Sequence, residues 1–174
     1  RDIGPFLSGL DKDLLAKYEV IGHIHGKKSP HIAAASGSSW RTFLWEHVIG
    51  GETPAADACL AAFEADKTLG LIFPEDPHLV AWDANFEMGT DLAKRMGRTE
   101  PLPKAFEWPI GTMFWARRAA LEPLFSLGLD WDDYPHEPLP EDGTLLHALE
   151  RVMPFAVEQA GFGYTVTHNP KVQR

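Results

Sequence analysis

The sequence predicts an α/β domain whose sheet is covered by helices on both faces. Strand-like apolar runs alternate with helix-like segments along the chain, which is the pattern of such a sheet. The length of 174 residues suits a single domain over residues 1–174 with a sizeable core. The hydrophobic fraction of 44% and the charged fraction of 24% are ordinary for a globular protein.

Capping residues and apolar spacing predict the elements of the first half. Asp11 suits the N-cap of a short helix, and Gly50-Gly51 ends a helix whose apolar residues recur at helical spacing. Thr53-Pro54 provides a cap and a first-turn proline for the next helix. The predicted elements are a helix carrying Leu14, Leu15 and Tyr18, a strand over 19–25, a loop over 26–39, helices over 40–48 and 54–67, and a strand over 69–73.

The second half is predicted to contain three helices and two strands. Pro123 indicates that one short helix is broken or begins late. Asp142 suits the N-cap of a long helix, in which Pro154 indicates a kink. The predicted elements are helices over 90–96, 119–127 and 142–160 and strands over 110–117 and 162–167.

Charge and cysteine content argue against some classes of protein. The 16 basic and 25 acidic residues give a formal net charge of −9, whereas a nucleic-acid partner normally requires a basic face. The lone Cys59 cannot form an internal disulfide, which favours an intracellular protein. No run approaches the ~20 apolar residues that span a bilayer, and no signal peptide is visible. We therefore expect a cytoplasmic protein, with any membrane association peripheral and on the inner face.

The densest polar cluster follows the first strand-like run. His23 and His25 share a face of that strand because side chains alternate, so they could bind a divalent metal or a diphosphate. Lys27 and Lys28 supply positive charge for phosphates, and Ser29 supplies a hydroxyl. The end of a strand is also where open α/β sheets bind ligands. The structural alternative is a solvated loop with one histidine bonded to the backbone.

A second candidate lies in the run 111–117. Gly111, followed by Thr112, allows a ligand to approach the backbone closely. Phe114 and Trp115 face opposite ways, so one can pack in the core while the other lines a cleft, and a tryptophan ring suits a saccharide. Arg117 ends the run. The alternative, which periodicity alone favours, is a core strand with large side chains.

A third candidate surrounds Asp142. The free N–H groups at a helix start stabilise a carboxylate, whose second oxygen could take a proton from an acceptor hydroxyl. Glu141 stands beside it, and Thr144, His147 and Arg151 share one helix face through their spacing. The alternative is a plain N-cap with a polar helix face. The weaker candidates are Trp40, Arg41 and Asn85.

Five motifs in order resemble the rhamnan synthesis protein F family over nearly the whole chain. They are Arg-Asp-Ile-Gly-Pro-Phe at 1–6, His-x-Lys-Lys-Ser at 25–29, Trp-Arg at 40–41, Gly-Thr-Met-Phe-Trp-Ala-Arg at 111–117 and Asp-Gly-Thr-Leu-x-His-Ala-x-Glu-Arg at 142–151. This family is associated with the assembly of rhamnose-containing surface polysaccharides. The resemblance implies an A-type glycosyltransferase-like nucleotide-binding sandwich. It further implies a nucleotide-sugar donor such as dTDP-rhamnose and a growing lipid-linked glycan as acceptor.

The resemblance also implies roles for individual residues. Asp142, with Glu141 beside it, resembles the acidic pair of such folds and is the candidate base of an inverting displacement. A-type enzymes usually hold a metal through Asp-x-Asp, but His23-Ile24-His25 stands in that place, which leaves a need for Mg or Mn open. Cations at 27–28 could stabilise the leaving diphosphate instead. The donor-side candidates are Asp2, His23, His25, Lys27, Lys28 and Ser29; the acceptor-side candidates are Gly111, Thr112, Trp115, Arg117, His147 and Arg151.

The start of the chain at Arg1, inside a motif, leads us to expect a fragment whose fold is incomplete on its N-terminal side. Exposed apolar surface at such a seam would favour a homodimer. A non-catalytic saccharide- or nucleotide-binding module competes with the transferase, because Asp-x-Asp is missing. A metal-dependent hydrolase is disfavoured because no His-Glu-x-x-His spacing occurs. The transferase predicts that His25, Lys27, Gly111 and Asp142 converge on one cleft.

Overall fold

The computed structural model describes residues 2–26, 34–75 and 82–170, and within these ranges four strands form one mixed sheet. The strands are β1 Val20–His23, β2 Leu69–Pro74, β3 Phe114–Arg117 and β4 Gly163–Thr167. Their order in the sheet is β1-β3-β2-β4. β3 runs antiparallel to β1 and β2, whereas β2 and β4 are parallel. The predicted α/β class is confirmed.

Seven α-helices occur in the same ranges. They are α1 Ile3–Ser8, α2 Lys12–Leu15, α3 Ala34–Val48, α4 Ala55–Ala65, α5 Phe86–Arg95, α6 Glu122–Phe125 and α7 Leu145–Gln159, with 3-10 turns at Asp83–Asn85, Arg118–Leu121 and Trp131–Asp133. Asp11 caps α2 as predicted, because its side chain accepts hydrogen bonds from two backbone N–H groups of that helix. Among the described helices, none has the length and apolar character required to cross a membrane.

Side-chain alternation on the strands divides the core between the two faces of the sheet. On β3, Phe114 and Ala116 pack into the large core that α7 covers, whereas Trp115 packs on the opposite side. Gly22 on β1 lies across from Trp115 and leaves room for its ring, since a Cβ there would come within 2.9 Å of it. Helices therefore cover both faces, as predicted.

The parallel pairing of β2 with β4 contains an irregularity. The register shifts between Leu69 and Leu71, so that Leu71 and Phe73 join the core under α7 while Leu69 and Ile72 pack against α4. All six residues of β2 are buried, as expected for a strand covered on both faces.

Several predicted boundaries are wrong. Helix α3 begins at Ala34, inside the predicted loop 26–39, and α5 begins at Phe86 rather than at residue 90. The strand expected over 110–117 begins only at Phe114, because Gly111 and Thr112 have φ angles of 83° and 57°, which a strand cannot contain. The late start that Pro123 indicated is confirmed, since this segment begins as a 3-10 turn and becomes α-helical only at Glu122. Asp142 is not the N-cap of α7, which starts at Leu145 after Thr144.

Candidate functional site

Polar groups from three distant segments meet where β1 ends and β3 begins. His23 is paired with Phe114 in the sheet, which brings the end of β1 to the loop before β3. His25 Nε2 lies 2.9 Å from Asp2 Oδ2 and 2.8 Å from the carbonyl oxygen of Gly111. His23 Nδ1 lies 2.5 Å from the carbonyl oxygen of Thr112. Because these neighbours only accept hydrogen bonds, we assign a proton to each of the two ring nitrogens.

The backbone at residues 111 and 112 is held in an unusual conformation. A φ of 57° is rare for a β-branched residue such as Thr112, and such a conformation costs on the order of 1–3 kcal/mol. Glu150 of α7 compensates, since its Oε1 accepts hydrogen bonds from the Gly111 N–H at 2.7 Å and from the Thr112 hydroxyl at 3.0 Å. Glu150 therefore fixes the turn whose carbonyl oxygens bind the two histidines.

The surroundings keep Asp2 ionised and His23 neutral. Burial raises the pKa of Asp2, but hydrogen bonding to His25, the charge of His25 and a hydrogen bond from Thr112 together bring it well below its usual range. Burial lowers the pKa of His23, and the bond to the Thr112 carbonyl offsets only part of that shift. Asp2 precedes α1, yet its side chain makes no capping bond there, so capping does not account for it.

A second polar group surrounds Asp142. Asn85 Nδ2 donates to both carboxylate oxygens at 2.8 Å, and Arg151 Nη2 lies 3.2 Å from Oδ1. The same Arg151 nitrogen is 3.5 Å from Asp83 Oδ2, and the guanidinium lies 4.5 Å from the centroid of the Trp108 ring. The side chain of Arg151 is only 5% exposed, whereas that of Asp142 is 31% exposed. A buried cation and a buried amide thus hold a carboxylate that reaches solvent.

The pKa of Asp142 is lowered by these contacts. Burial raises it, but the hydrogen bond from Asn85, the charge of Arg151 and the N–H of Gly143 outweigh that effect. Asp142 is therefore ionised at neutral pH. Asn85 itself is fully buried, and its Oδ1 accepts no hydrogen bond from the described residues, which is a costly state for an amide oxygen.

Helix α7 joins the two groups. Its consecutive residues Glu150 and Arg151 bind the Gly111–Thr112 turn and Asp142 respectively. One turn earlier, His147 Nδ1 lies 2.7 Å from the Thr144 hydroxyl, and the His147 carbonyl accepts a hydrogen bond from Arg151. We call this connected set the α7 network; its members are Asp2, His23, His25, Asp83, Asn85, Gly111, Thr112, Asp142, His147, Glu150 and Arg151.

Of the four residues predicted to converge on one cleft, three are connected to each other through helix α7. His25, Gly111 and Asp142 all belong to the α7 network. Lys27, with Lys28 and Ser29, lies outside the described residues. Glu141 is exposed beside the network.

The structure does not bring Trp115 or Arg117 to the network. Trp115 donates a hydrogen bond to the Val48 carbonyl at 2.8 Å and packs between the sheet and α3 and α4, because strand alternation turns it away from Phe114. Arg117 lies at the opposite end of β3, paired with Val20, and binds backbone carbonyls. The prediction that Trp115 and Arg117 belong to the same site as Gly111 and Thr112 is therefore wrong, because strand geometry points or places these two side chains away from it.

Sequence reasoning missed Glu150, Asp83 and Trp108. Glu150 carried a usable signal, since it lies three residues after His147 and therefore close to it on the helix surface. Asp83 and Trp108 carried none, because only the fold brings them to Arg151.

Among the described residues, the histidine pair has no third side chain arranged with it to hold a metal ion. In the described part of the chain no group of three His, Cys, Asp or Glu side chains is arranged to hold a metal ion. The His23 and His25 rings lie 5.7 Å apart between centroids, and the nitrogens at His23 Nδ1 and His25 Nε2 are engaged as hydrogen-bond donors.

Comparison with known proteins gives one family. A model of the family described as rhamnan synthesis protein F matches residues 1–162. The uncharacterized protein WxcX of Xanthomonas campestris pv. campestris strain B100 is 32% identical over 183 residues, which cover 99% of this chain and 26% of the relative. WxcX from a second strain of that pathovar matches with the same identity and shares. The chain thus spans about a quarter of the length of these curated relatives. No solved structure matches it.

Proposed function

The chain belongs to the rhamnan synthesis protein F family, and from that membership we propose that it is a glycosyltransferase domain. Its reaction moves a deoxyhexose, rhamnose, from a nucleotide-sugar donor to a growing lipid-linked glycan of the cell surface. The family description supports a part in polysaccharide synthesis, and the polar network supports the chemistry.

One observation carries the proposal: four of the five sequence motifs, although distant along the chain, are connected in the α7 network, which contains the ionised carboxylates of Asp2 and Asp142. Nothing in core packing alone requires Asp2, His25, Gly111 and Asp142 to be linked through adjacent residues of one helix. Burying polar groups is costly unless they are bonded, so such a set is more typical of a site than of a structural core.

In the proposed reaction Asp142 is the general base. A hydroxyl oxygen of the acceptor attacks the anomeric carbon of the donor, and its proton passes to a carboxylate oxygen of Asp142. The bond between the anomeric carbon and the diphosphate oxygen breaks, and the nucleoside diphosphate leaves with the electron pair. Asn85 and Arg151 fix the orientation of Asp142, which is what a base needs before it accepts a proton.

The donor is assigned to the β1 end of the network. Asp2 can accept hydrogen bonds from donor hydroxyls, while the imidazole groups of His23 and His25 provide polar ring edges beside it. We assign to Lys27 and Lys28 the role of stabilising the negative charge of the leaving diphosphate, because the histidine nitrogens described above already donate hydrogen bonds. Ser29 is assigned to the same group. Gly111, Thr112, His147 and Arg151 are assigned to the acceptor side.

A second candidate function is saccharide or nucleotide binding without catalysis. It is favoured by the contacts of Asp142 itself, since both oxygens already accept hydrogen bonds and its pKa is lowered. A carboxylate with a low pKa is a weak proton acceptor.

The test combines calorimetric binding with an assay of donor turnover. dTDP-rhamnose, dTDP and UDP are titrated into the protein, and dTDP release from dTDP-rhamnose is followed in the presence of a lipid-linked glycan acceptor. We expect Asp142→Asn to retain donor binding and to lower turnover by roughly 10²–10⁴-fold. The exposed Asp132 provides the matched control, and Asp132→Asn should change neither quantity.

Each outcome separates the candidates. Absence of nucleotide binding contradicts the transferase and leaves a saccharide-binding module as the supported function. Donor binding without turnover in the unaltered protein supports the binding module, whereas turnover that survives Asp142→Asn removes Asp142 from the role of base.

A further inference from the structure

We infer that a second site, at the end of the sheet opposite the α7 network, binds a phosphate or diphosphate group. An open cavity of about 470 Å³ lies where the segment after α2, the turn between α4 and β2, and the residues after β3 come together. Its lining includes Lys17, Tyr18, Glu19, Lys67, Arg118 and Phe162, with Arg117 beside them. The register of β1 and β3 separates it from the network, since Arg117 pairs with Val20 and Phe114 pairs with His23.

The cavity is basic in an acidic protein. Four of its lining residues are cationic and one, Glu19, is acidic, although the chain carries a net charge of −9. Glu19 is bound to Arg117, and Arg118 is 3.1 Å from Glu122. Within each of these two ion pairs the charges cancel, so the excess positive charge of the cavity comes from Lys17 and Lys67.

Lys17 and Lys67 are the groups available to a ligand. Both are exposed, and neither side-chain ammonium group makes a hydrogen bond or ion pair with the described residues. They come from segments fifty residues apart, after α2 and after α4, so the fold rather than a run of basic sequence places them at one cavity. The nearby carboxylate of Asp66 is engaged by the N–H and hydroxyl of Thr68 and does not line the cavity.

The chemistry of these groups selects phosphate. Two ammonium groups present up to six N–H donors and two charges, which match the several anionic oxygens of a phosphate or diphosphate. The Tyr18 ring is 58% exposed and offers an apolar face with a hydroxyl donor at its edge. The volume falls within the ~300–1,000 Å³ of small-molecule sites.

Below the lysines, the cavity has a rigid floor. The Arg117 guanidinium donates to the carbonyls of Phe63, Asp66 and Leu69, which fixes the turn that carries Lys67. When the residues that form the floor of a site are already ordered before binding, less affinity is lost to conformational entropy. This inference is independent of the proposed transferase, because no member of the α7 network lines the cavity.

The experiment measures binding of inorganic pyrophosphate to the protein by calorimetry and co-sedimentation with phosphatidylglycerol vesicles, with phosphatidylcholine vesicles as the neutral reference. Because pyrophosphate could also bind at the proposed donor site, the lysine variants are compared in a Lys27→Ala/Lys28→Ala background. There we expect Lys17→Ala/Lys67→Ala to weaken binding by about 10-fold or more, and added salt should weaken it in the parent protein. The control, Lys94→Ala/Lys104→Ala, removes the same charge from exposed positions outside the cavity and should change binding by less than about 2-fold.

The two arms identify the source of the phosphate. Pyrophosphate binding that depends on the two lysines supports a soluble ligand, and lysine-dependent vesicle binding supports a lipid headgroup. The inference is overturned if the unaltered protein binds neither probe, or if the cavity variant and the control lose binding equally. Asp142→Asn should bind pyrophosphate as the unaltered protein does. Failure of the transferase proposal can therefore be distinguished from failure of this inference.

Discussion

Arg117 and Arg151 are each 4% exposed and each lies over an aromatic ring, yet their polar partners differ. Arg117 donates to three backbone carbonyls around the end of α4 and the start of β2, and to one carboxylate, Glu19. Arg151 binds one carbonyl and two carboxylates, Asp83 at the start of a 3-10 turn and Asp142 in a segment without regular structure.

The difference in partners separates a structural arginine, Arg117, from a candidate site arginine, Arg151. Backbone carbonyls neither titrate nor turn toward a ligand, so the three bonds of Arg117 to carbonyls fasten β3 to the turn after α4, and only its bond to the exposed Glu19 can exchange with solvent. The carboxylates that face Arg151 are 31% and 46% exposed, and they can exchange part of their bonding with a ligand or with water. Burial of the arginine alone would not have told the two apart.

Arg117→Met is expected to give the largest effect. It leaves the carbonyls of Phe63 and Leu69 without their donor in a buried place, and we expect the free energy of unfolding to fall by about 3–5 kcal/mol. Denaturant unfolding followed by circular dichroism measures it. The neighbouring Arg118→Met removes a surface i,i+4 pair and should cost less than about 0.5 kcal/mol. Equal losses in the two variants would remove the structural role of Arg117.

Arg151→Met is expected to cost less, about 1–3 kcal/mol, because its carboxylate partners can be rehydrated. It should also raise the pKa of Asp142 toward its ordinary value of 3.8, which an NMR titration of that carboxyl group measures. With a lowered pKa, Asp142 stabilises the fold above pH 3.8 and loses that contribution as the pH falls below it. The variant should therefore lose less stability than the unaltered protein over that acid range. An unchanged pKa would contradict the assigned ion pair.

Asp83→Asn is expected to give the smallest effect. The distance of 3.5 Å to Arg151 Nη2 and the exposure of 46% indicate a contribution below about 1 kcal/mol. A double-mutant cycle with Arg151→Met isolates the pairwise coupling energy. A coupling energy well above 1 kcal/mol would contradict this expectation and would show that Asp83 fixes the position of the Arg151 guanidinium.

The sequence predicted the elements best where a local signal marks their ends. The apolar run around β2 and the Thr53-Pro54 start of α4 place these elements within one or two residues of the structure. It failed before β3, because Thr112 is a residue type that favours strands but has a positive φ there. That conformation depends on Glu150, thirty-eight residues later, which no local rule can anticipate.

The candidate site was predictable in its motifs and not in its connections. Asp2, His25, Gly111 and Asp142 stood out as polar residues or glycine next to apolar runs, and the network contains them. The role of Asp142 as an N-cap did not hold, since Asn85 and Arg151 bind it instead. Such partners lie up to 57 residues from Asp142 along the chain, beyond the reach of helical or strand spacing.

The parallel pairing of β2 and β4 has a consequence for biosynthesis. The bond from Thr167 to the Phe73 carbonyl joins residues 94 apart, so β2 leaves the ribosome long before the strand that covers its outer edge. At ordinary translation rates the nascent chain presents that edge for roughly 5–20 s. Throughout this interval an apolar strand with unpaired N–H and C=O groups is open to other nascent chains, and it is the segment on which we expect a chaperone to act first.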